Sequence, residues 1–350
     1  MVALRWDAAT GFTKLIDFGD DWAHERHSVL YDVPIATVPG GGYDGQFYAI
    51  IALDPVSNHT KIALDNPAYR YRRILLPVIA HVLGRGNQRA ILNIYALLNI
   101  VAWLVLAGIW WVEVGASTER GALVWLACML SLGALDSVRL SLTDLPGLLF
   151  LILAARALDK KSPWFAALWF LAGGFVRETA VFAAAVFPAG KKVGAGQIWL
   201  LRGLAIVPVL AWMAWLHFNL PGDSGVQEIF GWPGLGVAQH LVVCAKEIRS
   251  GNFDSRYVFG IIGVMGMAYQ SLFLLIRWRA SDPWTRLGLP FTVLFWFFSA
   301  YVFSGYWAAA RAVLPMTFVF NRLVAKERGF WFHFIAGNLF MLHGVWRMLP

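Results

Sequence analysis

The sequence predicts an all-α fold: a polytopic membrane helix bundle of about 10 transmembrane helices, with an N-terminal region outside the bilayer. Three observations predict it. Hydrophobic residues make up 59% of the chain and charged residues only 14%, where a soluble domain carries about 25% charged residues. Mean hydropathy is +0.59. Eighteen Trp and 25 Phe suit aromatic belts at the two membrane interfaces. The net charge of +8 could suggest a nucleic-acid partner. A positive-inside bias of Lys and Arg explains it more simply, so no nucleic acid is expected.

Residues 1–72 are mixed and polar, with no signal peptide and no apolar run long enough to span. Residues 73–84 (RILLPVIAHVLG) are too short to cross and contain Pro77. They predict an amphipathic interfacial helix lying along the membrane. Ten apolar spans follow, at 90–111, 121–135, 144–157, 163–175, 179–189, 198–217, 256–276, 287–304, 308–322 and 330–346. Several fall short of the ~20 residues a crossing helix needs, so they are expected to extend into flanking polar residues facing the bundle interior. Two regions result: 1–89 as an extracytoplasmic loop region, and 90–350 as the bundle with an outer loop at 218–255.

Charge orients the stack. The connections near 112–120, 156–163, 189–202, 277–287 and 322–329 hold thirteen Lys and Arg, while the opposite turns near 136–143, 176–178 and 305–311 hold three. The first set is therefore expected in the cytoplasm. The N-terminal region then lies outside, which calls for an upstream signal-anchor helix that this sequence lacks. Cys128 sits in an apolar run and Cys244 in a polar loop, so no disulfide is argued. His24 and His27 lack the surrounding pattern of a metal site and are read as surface loop. No metal site or cofactor is expected, although the sequence leaves divalent-metal dependence open.

With that orientation the ionisable residues near helix ends gather on the outer side: Asp44, Asp54, Arg70, Arg72, Arg73, Asp136, Arg139, Asp144, Arg177, Glu178 and Arg311. Charges at such depth are costly unless paired or functional. Guanidinium forks suit phosphate oxygens, so Arg70, Arg72, Arg73, Arg177 and Arg311 are the candidate phosphate cradle. The plainer alternative pairs these arginines with the nearby acids to hold helices in register. Asp44 lies in GGGYDGQFY (40–48). Glycines there would let the backbone approach a ligand. Tyr43 and Tyr48 would offer faces to a sugar ring, Gln46 an amide to a hydroxyl, and Asp44 a base. The plainer alternative makes Asp44 the cap of a helix starting near Gln46. Asp54, Asp136, Arg139, Asp144 and Glu178 complete the candidate sugar and acceptor contacts.

The stretch YDGQFYAIIALDP (43–55), followed by LDNPAYRYRRILLP (64–77), resembles a group of bacterial membrane proteins. It is also similar to the first outer loop of GT-C glycosyltransferases of the GPI-mannosyltransferase-like branch. There WDG-x-W/F-Y-x-x-I-A is the corresponding pattern. RETA (177–180) and GYWAAAR (305–311) look like further outer-face motifs of such proteins. The resemblance implies an inverting sugar transfer from a polyprenyl-phosphate donor to an extracytoplasmic lipid, glycan or protein. Asp44 would be the base, and the setting a bacterial inner membrane. Two departures stand out: Tyr43 replaces the Trp before the acid, and the first GT-C helix is missing. The alternatives are a lipid-linked sugar flippase or transporter, which should show inverted repeats or helices broken near the midplane, or a non-catalytic subunit of an envelope-glycan assembly machine. HLVVCAKEIRS (240–250) reads as a short amphipathic helix covering the bundle or edging the acceptor entrance. No Walker sequence occurs, in keeping with a pre-activated donor.

Overall fold

The computed structural model describes residues 5–22, 30, 33–56, 63–185, 194–222 and 226–346. His24, His27 and the Lys191–Lys192 pair lie outside these residues. The described chain is almost entirely helical. Its only strands are the two-residue β1 (Phe18–Gly19) and β2 (Thr37–Val38), paired in parallel.

The N-terminal region folds as α1 (Gly45–Leu53), α2 (Pro67–Arg70) running into a 3-10 turn (Tyr71–Arg73), and α3 (Leu75–Gly84). Asn66 starts α2 by accepting the Tyr69 N–H at 3.1 Å, with Pro67 at the first helical position. Amphipathic α3 buries Leu76, Pro77 and Ala80 and exposes Val82 and Leu83. It turns back through left-handed Arg85 and Gly86 into α4 (Gln88–Glu113). Asn87 caps that helix, accepting from Ala90 N–H at 2.9 Å.

The bundle continues with α5 (Glu119–Met129), α6 (Leu132–Arg139), α7 (Asp144–Asp159), α8 (Pro163–Val176), α9 (Ala180–Ala185) and α10 (Ala195–Asn219). Within residues 218–255 lie α11 (Val226–Ile229) and α12 (Leu235–Arg249). The remainder is α13 (Ser255–Arg277), α14 (Pro283–Phe297), α15 (Ala300–Ser304), α16 (Tyr306–Ala312), α17 (Leu314–Val324), α18 (Phe330–Asn338) and α19 (Met341–Trp346).

Three of these helices, α4, α10 and α13, are long and apolar enough to cross a membrane, which makes the chain an integral membrane protein. At 26 residues, α4 is about 39 Å long. A fourth span forms if α5 and α6, bent by 45° at their break, count as one. Their break comes from Ser131, which takes an extended backbone and restarts the helix by capping Ala134 N–H. Other expected spans are interrupted. The 287–304 span splits at Phe298–Ser299, where both residues are extended and Ser299 N–H donates to Ile229 C=O. The 308–322 span splits at Val313, where Pro315 begins α17 without an N–H to continue the helix before it. The 330–346 span splits at Leu339–Phe340. Of 179–189, α9 covers Ala180–Ala185, and residues from 186 lie outside the described part.

Large side chains on α4 (Leu104, Trp111, Val112), α10 (Trp199, Val207, Trp215) and α13 (Met265, Leu272, Ile276) face outward, as lipid-facing helices require. Inside, one apolar core runs through the bundle around Trp110, Trp284 and Phe318. A second joins Ile16, Tyr48 and Ile50 of the N-terminal region to Leu92 and Tyr95 of α4, Val176 of α8 and Leu216 of α10. That second core seats the Asp44 segment on the bundle.

Candidate active site

Glycine geometry places Asp44. Gly42 has φ +66°, and a Cβ there would come within 2.3 Å of Gly19 N. A Cβ on Gly45 would meet the Leu140 carbonyl oxygen at 2.1 Å. These glycines permit close approach of the chain to itself, where the sequence suggested approach to a ligand. They press the start of α1 against the end of α6.

Asp44 precedes α1 in helical backbone geometry, and its side chain makes no capping bond. The capping alternative therefore does not hold. Its carboxylate instead lies 3.1 Å from Arg70 Nη1, with the Asp44 side chain 37% exposed and that of Arg70 only 9%. Arg70 also forks Asp65, at 2.8 and 2.6 Å, and its guanidinium stands 4.5 Å from the Phe47 ring centroid. Burial pushes the Asp44 carboxyl upward, but Arg70, Arg311 and Arg73 outweigh it and hold the group below the usual carboxylate range. Asp44 is thus an accessible, ionised carboxylate against a buried wall of arginines.

Buried Arg73 donates to both Glu178 oxygens, at 2.9 and 2.8 Å, and to the hydroxyls of Tyr48 at 2.5 Å and Tyr69 at 2.7 Å. This ties the 3-10 turn to the connection between α8 and α9. Burial opposes ionisation of Glu178, but Arg73 overrides it and lowers the carboxyl strongly. Across the site, Asp144 at the start of α7 takes two arginines: Arg177 Nη1 at 2.6 Å and Arg311 Nη1 at 3.6 Å. Arg311 also donates to the Tyr43 hydroxyl at 2.8 Å. Tyr43 and Asp44 are chain neighbours, as are Arg177 and Glu178, so the two halves form one continuous cluster.

Arg177 and Arg311 share a single carboxylate, and the buried Nε of each has no hydrogen-bond partner among the described residues. Beside them runs a crevice with about 10 Å³ of free volume, walled by Leu148, Leu151, Phe291 and Pro315. That is room for about one water. Two cations thus meet on one acid, with two unused buried Nε donors beside an apolar wall.

The remaining expected contacts are placed as follows. Asp136 is buried at 3.6 Å from Arg139, one turn along α6, so both lie at the edge of the cluster. Arg72 is buried, with its guanidinium 5.3 Å from the Tyr69 ring centroid. Asp54 is a correction. It follows the end of α1, about 15 Å of helix away from Asp44, so it does not belong to the cluster. Gln46 is a second correction: it is buried, accepting from Gly19 N–H at 3.2 Å and donating to Gly41 C=O at 2.7 Å. It clamps the loop rather than presenting an amide to a hydroxyl. Tyr48 is fully buried and offers no face to a sugar, and the Tyr43 ring lies 5.1 Å from the Arg311 guanidinium. Asp65 and Tyr69 were missed by the sequence reading. The one available signal was their position in LDNPAYRYRR, within helical reach of arginines already singled out.

Compared with family models, with characterised proteins and with solved structures, the chain matches none.

Proposed function

We propose that this integral membrane protein is a glycosyltransferase that takes a sugar from a polyprenyl-phosphate donor, at the extracytoplasmic face of a bacterial inner membrane. The observation that carries this reading is one cluster holding a partly exposed Asp44, ion-paired with Arg70, and, across it, Arg177 and Arg311, which share Asp144 and keep unpartnered Nε donors. In this reading the donor phosphate lies against Arg177 and Arg311, and its chain follows the apolar wall. An acceptor hydroxyl binds Asp44. Its oxygen bonds to the anomeric carbon as the bond to the phosphate oxygen breaks, and its proton passes to the Asp44 carboxylate. The electron pair leaves on the lipid phosphate, whose growing charge the arginines stabilise, a contribution on the order of 10²–10³ in rate per donor. An arginine-paired carboxylate is a weak base, so proton transfer comes late, once the hydroxyl is acidified by bonding to carbon.

The test supplies purified protein with a labelled polyprenyl-phosphate sugar and a lipid acceptor extract. Asp44→Asn should lower transfer at least ~100-fold while donor binding stays within about threefold. Transfer by Asp44→Asn at the wild-type rate refutes the role of Asp44. A second reading, a carrier of lipid-linked sugar, is favoured by the broken α5–α6 pair. A carrier would move labelled lipid across liposomes with its headgroup intact.

A further inference from the structure

At the far end of α7 and α8 from the Asp44 cluster, a groove of about 230 Å³ is lined by Leu153, Arg156, Lys160, Ser162, Phe165 and Trp169. Arg156 lies about 18 Å along α7 from Asp144. Its Nε pairs with Glu113 of α4 at 2.7 Å, and its side chain is 26% exposed. Lys160 is exposed at the end of the helix. The neighbouring acid Asp159 is engaged elsewhere, accepting from Trp284 Nε1 at 2.5 Å. Ser162 does not cap α8, and its hydroxyl has only a 3.5 Å bond to Lys160 C=O. The floor is apolar, and exposed Trp164 and Phe165 flank it at the start of α8, the placement that aromatic side chains take at a membrane interface.

We infer that this groove is a binding site for an anionic phospholipid headgroup, with Arg156 and Lys160 on the phosphate and the acyl chains over Phe165 and Trp169. Charge commits it to that occupant. The two nearby acids are already engaged, Glu113 by Arg156 Nε and Asp159 by Trp284. That leaves exposed Lys160 and the rest of the Arg156 guanidinium at the end of the bundle where the connections are rich in Lys and Arg, and anionic lipid concentrates in the cytoplasmic leaflet. A zwitterionic headgroup would bring an unmatched ammonium toward Arg156 and Lys160. The inference is independent of the proposed transfer reaction.

The experiment uses the full chain in mild detergent, titrated with phosphatidylglycerol, phosphatidylcholine or inorganic phosphate, and reads retained lipid by native mass spectrometry. Phosphatidylglycerol should bind at least ~10-fold tighter than phosphatidylcholine. Arg156→Gln with Lys160→Gln should weaken it on the order of 30-fold. The charge-conserving pair Arg156→Lys with Lys160→Arg should retain binding, and Lys326→Gln, a charge loss elsewhere on that side, should leave it unchanged. Equal retention of both lipids overturns the proposal. So does loss of binding in the Lys326→Gln control equal to that in the double variant, or inorganic phosphate displacing the lipid at low millimolar concentration.

Discussion

Glu178→Ala isolates a buried, bidentate ion pair in the cluster. Arg73 is fixed by both Glu178 oxygens and by two tyrosine hydroxyls, with side-chain exposures of 5% for Arg73 and 15% for Glu178. Removing the acid leaves a buried guanidinium with only neutral partners, a change that costs about 3–5 kcal/mol. The tyrosines keep two of its donors bonded, so the lower end of that range is expected. Arg73→Met with Glu178→Leu removes both charges and should cost less than Glu178→Ala alone, since no orphan charge remains. The measurement is detergent-denaturant unfolding followed by tryptophan fluorescence, with the single and double variants closing a cycle. A Glu178→Ala cost below about 0.5 kcal/mol, in the range of an exposed pair, would refute the argument that this pair is buried and fixes the 3-10 turn to α8.

Three further outcomes follow. Asp44 and Glu178 both have carboxyls held below their ordinary values of 3.8 and 4.5, so the stability they add is complete above those values. It should be level from pH 7 to about pH 5 and then lost as pH falls further; Glu178→Gln should flatten part of that acid limb in a pH series of unfolding curves. Gly45→Ala should destabilise by more than about 2 kcal/mol or prevent folding, because its Cβ would lie 2.1 Å from the Leu140 oxygen, measured as loss of a monodisperse peak and a lowered Tm. Asn338→Leu strands buried Asn321, whose amide exchanges two 2.9 Å bonds with Asn338. It should cost about 1–3 kcal/mol, and adding Asn321→Leu should recover much of that in the same unfolding assay.

Much of the site was legible because charge inside an apolar sequence is conspicuous. Asp44, Arg70, Arg73, Asp144, Arg177, Glu178 and Arg311 stand out, and the structure draws them into one cluster from segments up to 267 residues apart. Pairing was not legible. Nothing local says that Arg73 meets Glu178 rather than Asp44, because that choice depends on how α8 packs on the N-terminal region. The glycines of 40–45 were visible as points of close approach, but a sequence cannot show that the approaching surface is Leu140 or Gly19. Asp54 misled because chain proximity to Asp44 is not spatial proximity when a helix runs between them. Helix breaks were hidden for a similar reason. Ser131 interrupts an apolar run without any strong composition signal, and although Pro315 marks the break at Val313, hydropathy averaged over a window passes across both.

The arrangement of acids also limits where an anion can enter. Arg70 is held by two carboxylates and Arg73 by a bidentate one, both at 3.1 Å or less. A phosphate competing there would have to displace buried, well-formed bonds. Arg311 is different. Its contact with Asp144 is 3.6 Å, it shares that acid with Arg177, and its Nε is unused. On the proposed reading, phosphate recognition therefore centres on Arg311, with the unused Nε of Arg177 beside it although that side chain is held by Asp144 at 2.6 Å, while Arg70 and Arg73 shape the site and keep Asp44 ionised. The four arginines then differ in kind. Arg311→Gln should raise the donor dissociation constant about tenfold or more, as loss of a charge-assisted bond does, with stability changed little. Arg73→Gln should lower stability first, leaving Glu178 buried without its counter-ion. Equilibrium binding of a labelled polyprenyl phosphate, paired with Tm for each variant, separates the two. If both variants lose binding and stability in the same proportion, the division between a phosphate contact and a scaffold ion pair fails.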